Sequence, residues 1–260
     1  MFTPTILSCH HHNFTPARHP PDIIILQVAK DYDQAKTCLL RAVDCYKEIH
    51  SIFQAGKMLD QAVLVSRDMG KLEDIAKLAE RGALMYRQVN KPEAASTLLD
   101  KAAKMLEKDR PEDATGLYEK AAETVSTEDR PNVAAEYMGK AARLYVRTKD
   151  FDSAIGCLRR EVEWRREAGT QAGQAVMGLI LIELKRGDRV ASEKVFREWG
   201  GWLDGNQARA VTNLFQVKIT KGYCLKQVFS IFFPLLLGLT FCLPPVIRAL
   251  IDFFLLCPGL

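Results

Sequence analysis

The sequence predicts an all-α protein, an α-solenoid of stacked helical hairpins with a period of about 40 residues. The first observation is a register of mostly small residues spaced 40, 39 and 40 apart: Ala35, Ile75, Ala114 and Ala154. The second is a pair of alanine registers with the same spacing: Ala55, Ala95 and Ala134, then Ala62, Ala102 and Ala141. The third is that apolar residues recur at helical spacing, and no strand pattern competes. Small residues in fixed positions let neighbouring helices approach closely, and one hairpin cannot bury its apolar face alone.

For residues 1–30, the first segment, the sequence predicts an irregular tail. Four prolines break any helix there: Pro4, Pro16, Pro20 and Pro21. Four histidines could ligate a metal: His10, His11, His12 and His19. Nothing else in the segment completes a metal site, so a tail with chance histidines is the favoured interpretation.

Residues 31–217 predict the solenoid itself. Proline in the first turn, followed by acidic residues, marks helix starts such as Pro111. Turn-like breaks delimit four predicted helix pairs: 32–47 with 50–68, 72–88 with 91–107, 111–125 with 130–147, and 151–168 with 171–186. A fifth unit opens at Arg189. The tetratricopeptide (TPR) unit is about 34 residues long, so the hairpins are TPR-like with longer helices.

Residues 218–260 are hydrophobic and break the repeat pattern. The run from Val228 to Ile247 contains no charge and is long enough to span a bilayer, and the lysines before it would keep the repeats on the cytoplasmic side. Prolines interrupt the run, however. Three interpretations stay open: a C-terminal membrane anchor, an atypical end from an alternative or misassigned terminal exon, or a segment packed on the solenoid.

Composition and motifs argue against an enzyme and against a nucleic-acid partner. The chain has 36 basic and 32 acidic residues, and a net charge of +4 is too small to indicate nucleic-acid binding. Its seven cysteines have no ligand spacing and suit a reducing cytosol. The one histidine of the repeats, His50, stands at a predicted helix start, and no catalytic set or glycine-rich phosphate loop can be assembled around it. We expect no cofactor and no metal.

Basic residues of the middle repeats are the candidate binding residues. A Lys-Ala-Ala unit recurs at Lys101, Lys120 and Lys140, and Lys140, Arg143 and Arg147 are spaced to share one helix face. Two interpretations stay open. The residues either keep a solvated surface charged, with ion pairs along each helix, or form a positive strip for an acidic helical partner. The candidates for the strip are Lys101, Lys104, Lys120, Lys140, Arg143 and Arg147.

Several collinear segments resemble the soluble NSF attachment proteins, most closely the gamma type. They are DYDQAKTCLLRAV, KLEDIAKLAERGALMY, PEDATGLYEKAAETV, RPNVAAEYMGKAARLYVRTKDFDSAIGCLRRE and LKRGDRVASEKVFRE, and they lie within residues 31–217. The resemblance implies an adaptor of ER–Golgi and other vesicle transport. It would lie along a syntaxin-type four-helix SNARE bundle and recruit the ATPase NSF, which disassembles the bundle. It also implies a cytoplasmic protein that associates peripherally with the membrane surface.

The two ends depart from that family. Its members carry a further helical unit and a membrane-touching loop before the position of Asp31, and a C-terminal segment that engages NSF. An apolar stretch replaces that segment here, so NSF recruitment is a weaker expectation than SNARE binding. The alternative function is a general TPR-like interaction scaffold held to a membrane by its C-terminal segment.

Overall fold

The computed structural model describes residues 31–126 and 130–216, which form ten α-helices and contain no strand. The helices are α1 (Tyr32–Glu48), α2 (Ile52–Asp68), α3 (Leu72–Gln88), α4 (Pro92–Leu106), α5 (Pro111–Ser126), α6 (Pro131–Arg147), α7 (Phe151–Glu167), α8 (Gly173–Arg186), α9 (Arg189–Trp199) and α10 (Gly205–Gln216). A short 3₁₀ helix, Gly200–Trp202, separates the last two. The all-α solenoid that the sequence predicts is confirmed. The predicted tail, with its histidines, and the predicted hydrophobic segment lie outside the described residues.

The period of 40 residues comes from two equal half-units. Helices α1, α2, α3, α6 and α7 each have 17 residues, and three-residue turns join α1 to α2, α2 to α3, α3 to α4 and α6 to α7. The spacing of 39, which occurs once in each register, has a local cause. Helix α4 begins at Pro92 and α5 at Pro111, so this half-unit is one residue shorter than the other half-units between α1 and α7.

Most turns end a helix in the same way. A residue with positive φ follows the helix at His50 (55°), Gly70 (71°), Asn90 (54°), Lys149 (64°) and Gly169 (67°). The N–H of the residue that follows the positive-φ residue then donates to a carbonyl five residues back, as from Ser51 to Tyr46 and from Asp150 to Tyr145. His50 therefore lies in a turn, whereas the sequence had placed it at a helix start. The reason is that a left-handed residue is needed before α2 can begin at Ile52.

Each helix packs on the next, and alternate helices form two layers. The odd layer contains α1, α3, α5 and α7, and the even layer contains α2, α4 and α6. Residues of the three small registers face inward between the layers, where all ten are fully buried: Ala35, Ala55, Ala62, Ile75, Ala95, Ala102, Ala114, Ala134, Ala141 and Ala154. The core is thus a continuous seam between the layers, as expected when each repeat buries the face of its neighbour.

The last helices continue the stack less regularly. Helix α8 packs on α7, α9 packs on α8, and Phe196 of α9 meets Phe215 of α10 with ring centroids 5.6 Å apart. Gly173, at the start of α8, lies so close to the Trp202 carbonyl that a Cβ would stand 2.8 Å from it. None of the helices described is long and apolar enough to cross a membrane.

Candidate protein-interaction surface

The six basic candidates divide between the two layers. Lys101 and Lys104 lie on α4, and Lys140, Arg143 and Arg147 lie on α6, so five of the six belong to the even layer. We call these five the even-layer basic set. Lys120 lies on α5 in the odd layer. The Lys-Ala-Ala unit recurs after about half a repeat, so successive copies fall on alternate layers.

Each lysine of the Lys-Ala-Ala unit is paired with a carboxylate of the preceding repeat. The Nζ of Lys140 is 2.5 Å from Asp100, that of Lys120 is 2.7 Å from Glu80, and that of Lys101 is 3.6 Å from Asp60. In every case the two residues lie on consecutive helices of one layer. These same-layer ion pairs join adjacent repeats.

A second series of ion pairs joins the starts of consecutive helices of one layer. Lys71, just before α3, reaches Asp33 in the first turn of α1 with an Nζ–carboxylate distance of 2.9 Å. Arg110 before α5 contacts Glu73 in the same way, as does Arg130 before α6 with Glu93. Most of these side chains are well exposed, so the pairs favour one register of stacking more than they add stability.

Lys140 is the most enclosed of the three lysines in the even-layer basic set. Its Nζ contacts Asp100 and lies 5.5 Å from the ring centre of Tyr118 and 4.9 Å from that of Tyr137. The Lys140 side chain is 26% exposed and that of Asp100 is 14% exposed. Lys140 therefore links α4, α5 and α6 to one another, and little of its side chain is available to contact a partner.

Asp100 is the carboxylate on which two of the lysines converge. Lys104 donates from 2.7 Å on the same helix and Lys140 from 2.5 Å on the next helix of the layer. Burial alone would raise the pKa of Asp100, but the hydrogen bonds from the two lysines outweigh it and lower the pKa below the usual 3.8. Asp100 is therefore held ionised at neutral pH.

Arg143 and Arg147 have different surroundings on α6. Arg143 is half-buried, and its charge acts on Glu161 of α7, a buried carboxylate. Burial raises the pKa of Glu161, and the charges of Arg165 and Arg143 lower it in part. Arg165 also hydrogen-bonds Glu161 at 2.9 Å. Arg147 is exposed in the last turn of α6 and makes no ion pair within residues 31–126 and 130–216. Arg147 is therefore the most available cation of α6.

The outward charges of neighbouring helices are opposite in sign. Helix α6 has three cations and a single carboxylate, Glu136. Helix α5 has one lysine and four carboxylates: Glu112, Asp113, Glu119 and Glu123. Carboxylates repel an acidic partner, so an acidic rod suits α6 of the even layer better than α5 of the odd layer. Lys120 lies on α5 among its carboxylates.

Asp60, Glu80 and Asp100 are carboxylate partners of the candidate lysines that the sequence reasoning missed. The signal was present, because Asp100 and Lys140 are 40 residues apart, one full repeat. Opposite charges separated by the repeat length predict a contact between stacked repeats, just as opposite charges four apart predict a contact within one helix.

The described residues contain no group of three or more His, Cys, Asp or Glu side chains arranged to hold a metal. A polar cluster does join α5, α6 and α7, where Glu119 accepts from the Tyr145 hydroxyl at 3.0 Å and from the Cys157 thiol at 3.4 Å. Burial and the Glu119 charge raise the pKa of Cys157 to about 12. This is the opposite of what a nucleophilic thiol needs.

One comparison with protein families bears on these residues. Residues 76–188 match the model of the soluble NSF attachment protein (SNAP) family. This SNAP-type segment runs from α3 to the turn after α8 and contains all six basic candidates. The resemblance inferred from the sequence is confirmed over this range. No curated protein matches the chain in sequence.

Three of the solved structures that match this chain have low identity and TM-scores below 0.5. BtubC from P. vanneervenii is 16% identical, with 78% of this chain and 81% of that chain covered and a TM-score of 0.40. The apo form of RapI is 15% identical, with coverages of 82% and 62% and a TM-score of 0.45. A putative kinesin light chain from Podosopora anserina with TPR-like repeats is 14% identical, with coverages of 70% and 97% and a TM-score of 0.30. With its SNAP-type segment and its helical-repeat fold, the chain is a helical protein-interaction adaptor.

Proposed function

We propose that this adaptor acts in vesicle trafficking by binding the four-helix SNARE bundle and presenting it to the ATPase NSF. The observation that carries the proposal is the position of the SNAP-type segment, because it spans α4 to α6, where the even layer has its surplus of cations. A SNARE bundle is a long rod with an acidic surface, and a layer of parallel helices with outward cations suits it in shape and charge.

The even-layer basic set divides by role in this proposal. Lys101, Lys104 and Arg147 are exposed and meet the partner, whereas Lys140 holds α4, α5 and α6 together. Arg143 adds positive potential while it compensates the buried Glu161. Lys120 stays outside the contact because its helix, α5, has four carboxylates and one lysine.

The proposal is tested by measuring the binding of the full chain to an assembled SNARE complex and to a single syntaxin-type helix. We expect preference for the assembled complex and an affinity that falls as salt rises from 0.05 to 0.3 M, because the contacts are between exposed charges. The double variant Lys101→Ala/Lys104→Ala should weaken binding about tenfold, in line with two lost charge contacts.

The matched control is Lys77→Ala/Lys120→Ala, which removes the same charge from the odd layer. It should leave binding within about twofold of the unchanged protein, since screened charges on the other layer contribute little. Equal losses in both variants would overturn the placement on the even layer. Failure of the unchanged chain to bind the assembled complex would overturn SNARE recognition itself.

NSF recruitment is tested separately by adding NSF to the bound complex and following sedimentation. Co-sedimentation of NSF, in the presence of a non-hydrolysed ATP analogue, is the expected result. If the chain binds SNARE complexes but NSF does not follow, the chain is a SNARE-binding adaptor without the recruitment step. That result would overturn the second half of the proposal alone.

A further inference from the structure

The ion pair between Lys101 and Asp60 is more exposed than the Lys140–Asp100 pair, the other even-layer pair that joins adjacent repeats through a Lys-Ala-Ala lysine. The Lys101 side chain is 50% exposed, whereas that of Asp60 is 29% exposed, and the two charged groups are 3.6 Å apart. The ammonium is thus open to an external partner, while its internal carboxylate lies deeper. An ammonium has three donors and can hold an internal and an external carboxylate together.

The internal carboxylate nevertheless reduces the positive potential that an approaching anion meets. Opposite charges a few ångströms apart largely cancel each other's potential at a distance, so the Asp60 carboxylate offsets most of the field of Lys101. Pairing of this kind keeps a basic surface from attracting every anion and makes release of a partner easier.

We infer that Asp60 is a built-in competitor for the acidic partner of the even layer. An acidic helix that binds Lys101 must share or displace the Asp60 carboxylate, so Asp60 lowers the affinity of the surface and favours release. The inference rests on the proposed binding of an acidic helical rod and adds to it the residue that limits its strength.

The odd layer supplies a control that is matched in register, chemistry and charge. Glu80 on α3 pairs with Lys120 on α5 at 2.7 Å, one repeat apart, as Asp60 pairs with Lys101. Asp60→Asn and Glu80→Gln each remove one negative charge and free one lysine. They differ in the layer on which the freed lysine stands.

The experiment measures the affinity of the full chain and of both variants for assembled SNARE complex and for a poly-glutamate peptide, at 0.05 M and 0.3 M salt. We expect Asp60→Asn to bind the SNARE complex about threefold more tightly at low salt, in the range of one exposed ion pair, and Glu80→Gln to bind as the unchanged chain does. The gain should disappear in the Lys101→Ala background. Thermal unfolding of each variant verifies that it is folded, and Asp60→Glu, which keeps the charge, should behave as the unchanged chain.

The outcomes separate this inference from the proposed function. Equal tightening by Asp60→Asn and Glu80→Gln reports net charge alone and overturns the inference, and so does unchanged or weaker binding by Asp60→Asn. If the unchanged chain does not bind SNARE complex at all, the proposed function fails. In that case the inference is supported if Asp60→Asn strengthens binding of poly-glutamate and Glu80→Gln does not, and any other result overturns it.

Discussion

The two layers of the solenoid are alike on their inner faces and different on their outer faces. Inside, fully buried small residues recur in both layers, such as Ala114 in the odd layer and Ala134 in the even layer. Outside, α5 of the odd layer has a surplus of carboxylates and α6 of the even layer has a surplus of cations. The inner residues are constrained by packing between helices, whereas the outer residues are free to differ. Recognition is therefore to be sought in what differs between the layers.

The prediction with the largest expected effect concerns Cys157, a buried cysteine of α7. It tests whether the inner face of the layers is closed to solvent. At pH 8, a thiol whose pKa is about 12 forms roughly a thousandth of the thiolate that it would form with the ordinary pKa of 9.0. We expect iodoacetamide to alkylate Cys157 at pH 8 about a thousandfold more slowly in the folded chain than in urea, as followed by mass spectrometry of its peptide.

The control for this experiment is Cys38, an exposed cysteine on the outer side of α1 in the same layer. It should be alkylated readily in the folded chain. Similar rates for Cys157 with and without urea would contradict a closed inner face.

The second prediction compares glycines that face inward with one that faces outward. A Cβ at Gly82 of α3 would stand 2.5 Å from the fully packed Leu98, and a Cβ at Gly139 of α6 would stand 2.9 Å from Glu161, whereas nothing lies within 4 Å at Gly156 of α7. Gly82→Ala and Gly139→Ala should each lower the free energy of unfolding by about 1–3 kcal/mol through overpacking.

Gly156→Ala is the matched substitution on the outer face. It should raise the free energy of unfolding by about 0.5–1 kcal/mol, because alanine restricts the unfolded chain and suits a helix. Urea titration measures all three variants. Stabilisation by Gly82→Ala or Gly139→Ala would contradict the close packing of the two layers at these glycines.

The fold could be read from the sequence because packing leaves a periodic signal. The registers that begin at Ala35 and Ala55 indicate the repeat, and the one spacing of 39 in each register corresponds to the shorter unit between the starts of α4 and α5. The seven helix starts predicted from 50 to 171, from α2 to α8, agree with the structure within two residues. His50 was misplaced because a positive φ leaves no mark on a residue that is not glycine.

The candidate surface could be read only in part. Lys101, Lys120 and Lys140 belong to one sequence motif, but the motif repeats after half a period, and the structure separates Lys120 from the other two. The carboxylates Asp60 and Asp100 were missed because their contacts depend on how one repeat stacks on the next. A pattern within one helix does not contain that information.

The third prediction compares one ion pair from each layer at the same repeat spacing. Lys140 and Asp100 in the even layer are 26% and 14% exposed, and Lys120 and Glu80 in the odd layer are 52% and 44% exposed. A double-mutant cycle on urea unfolding should give a coupling of about 1–2 kcal/mol for the first pair, which is shielded from water by tyrosine rings. The exposed pair should give about 0–0.5 kcal/mol. Equal couplings would mean that burial does not distinguish the two layers.

The smallest expected effect is the pH dependence that Asp100 adds to the even layer. Its pKa is lower in the folded chain than the ordinary value of 3.8, so the unfolded chain binds the proton more readily. The stability that Asp100 contributes is therefore fully present above about pH 4 and is lost as the pH falls through the folded pKa. Asp100→Asn should be less stable than the unchanged chain by about 1 kcal/mol at pH 6, and this difference should shrink as the pH falls through the folded pKa of Asp100. Thermal unfolding between pH 2 and pH 6 measures it, with Glu80→Gln as the odd-layer control that should differ little from the unchanged chain throughout. If the stability difference between Asp100→Asn and the unchanged chain stays constant with pH, the substitution acts through packing and not through the lost charge. The positions of Lys104 and Lys140 would then not depend on the charge of Asp100.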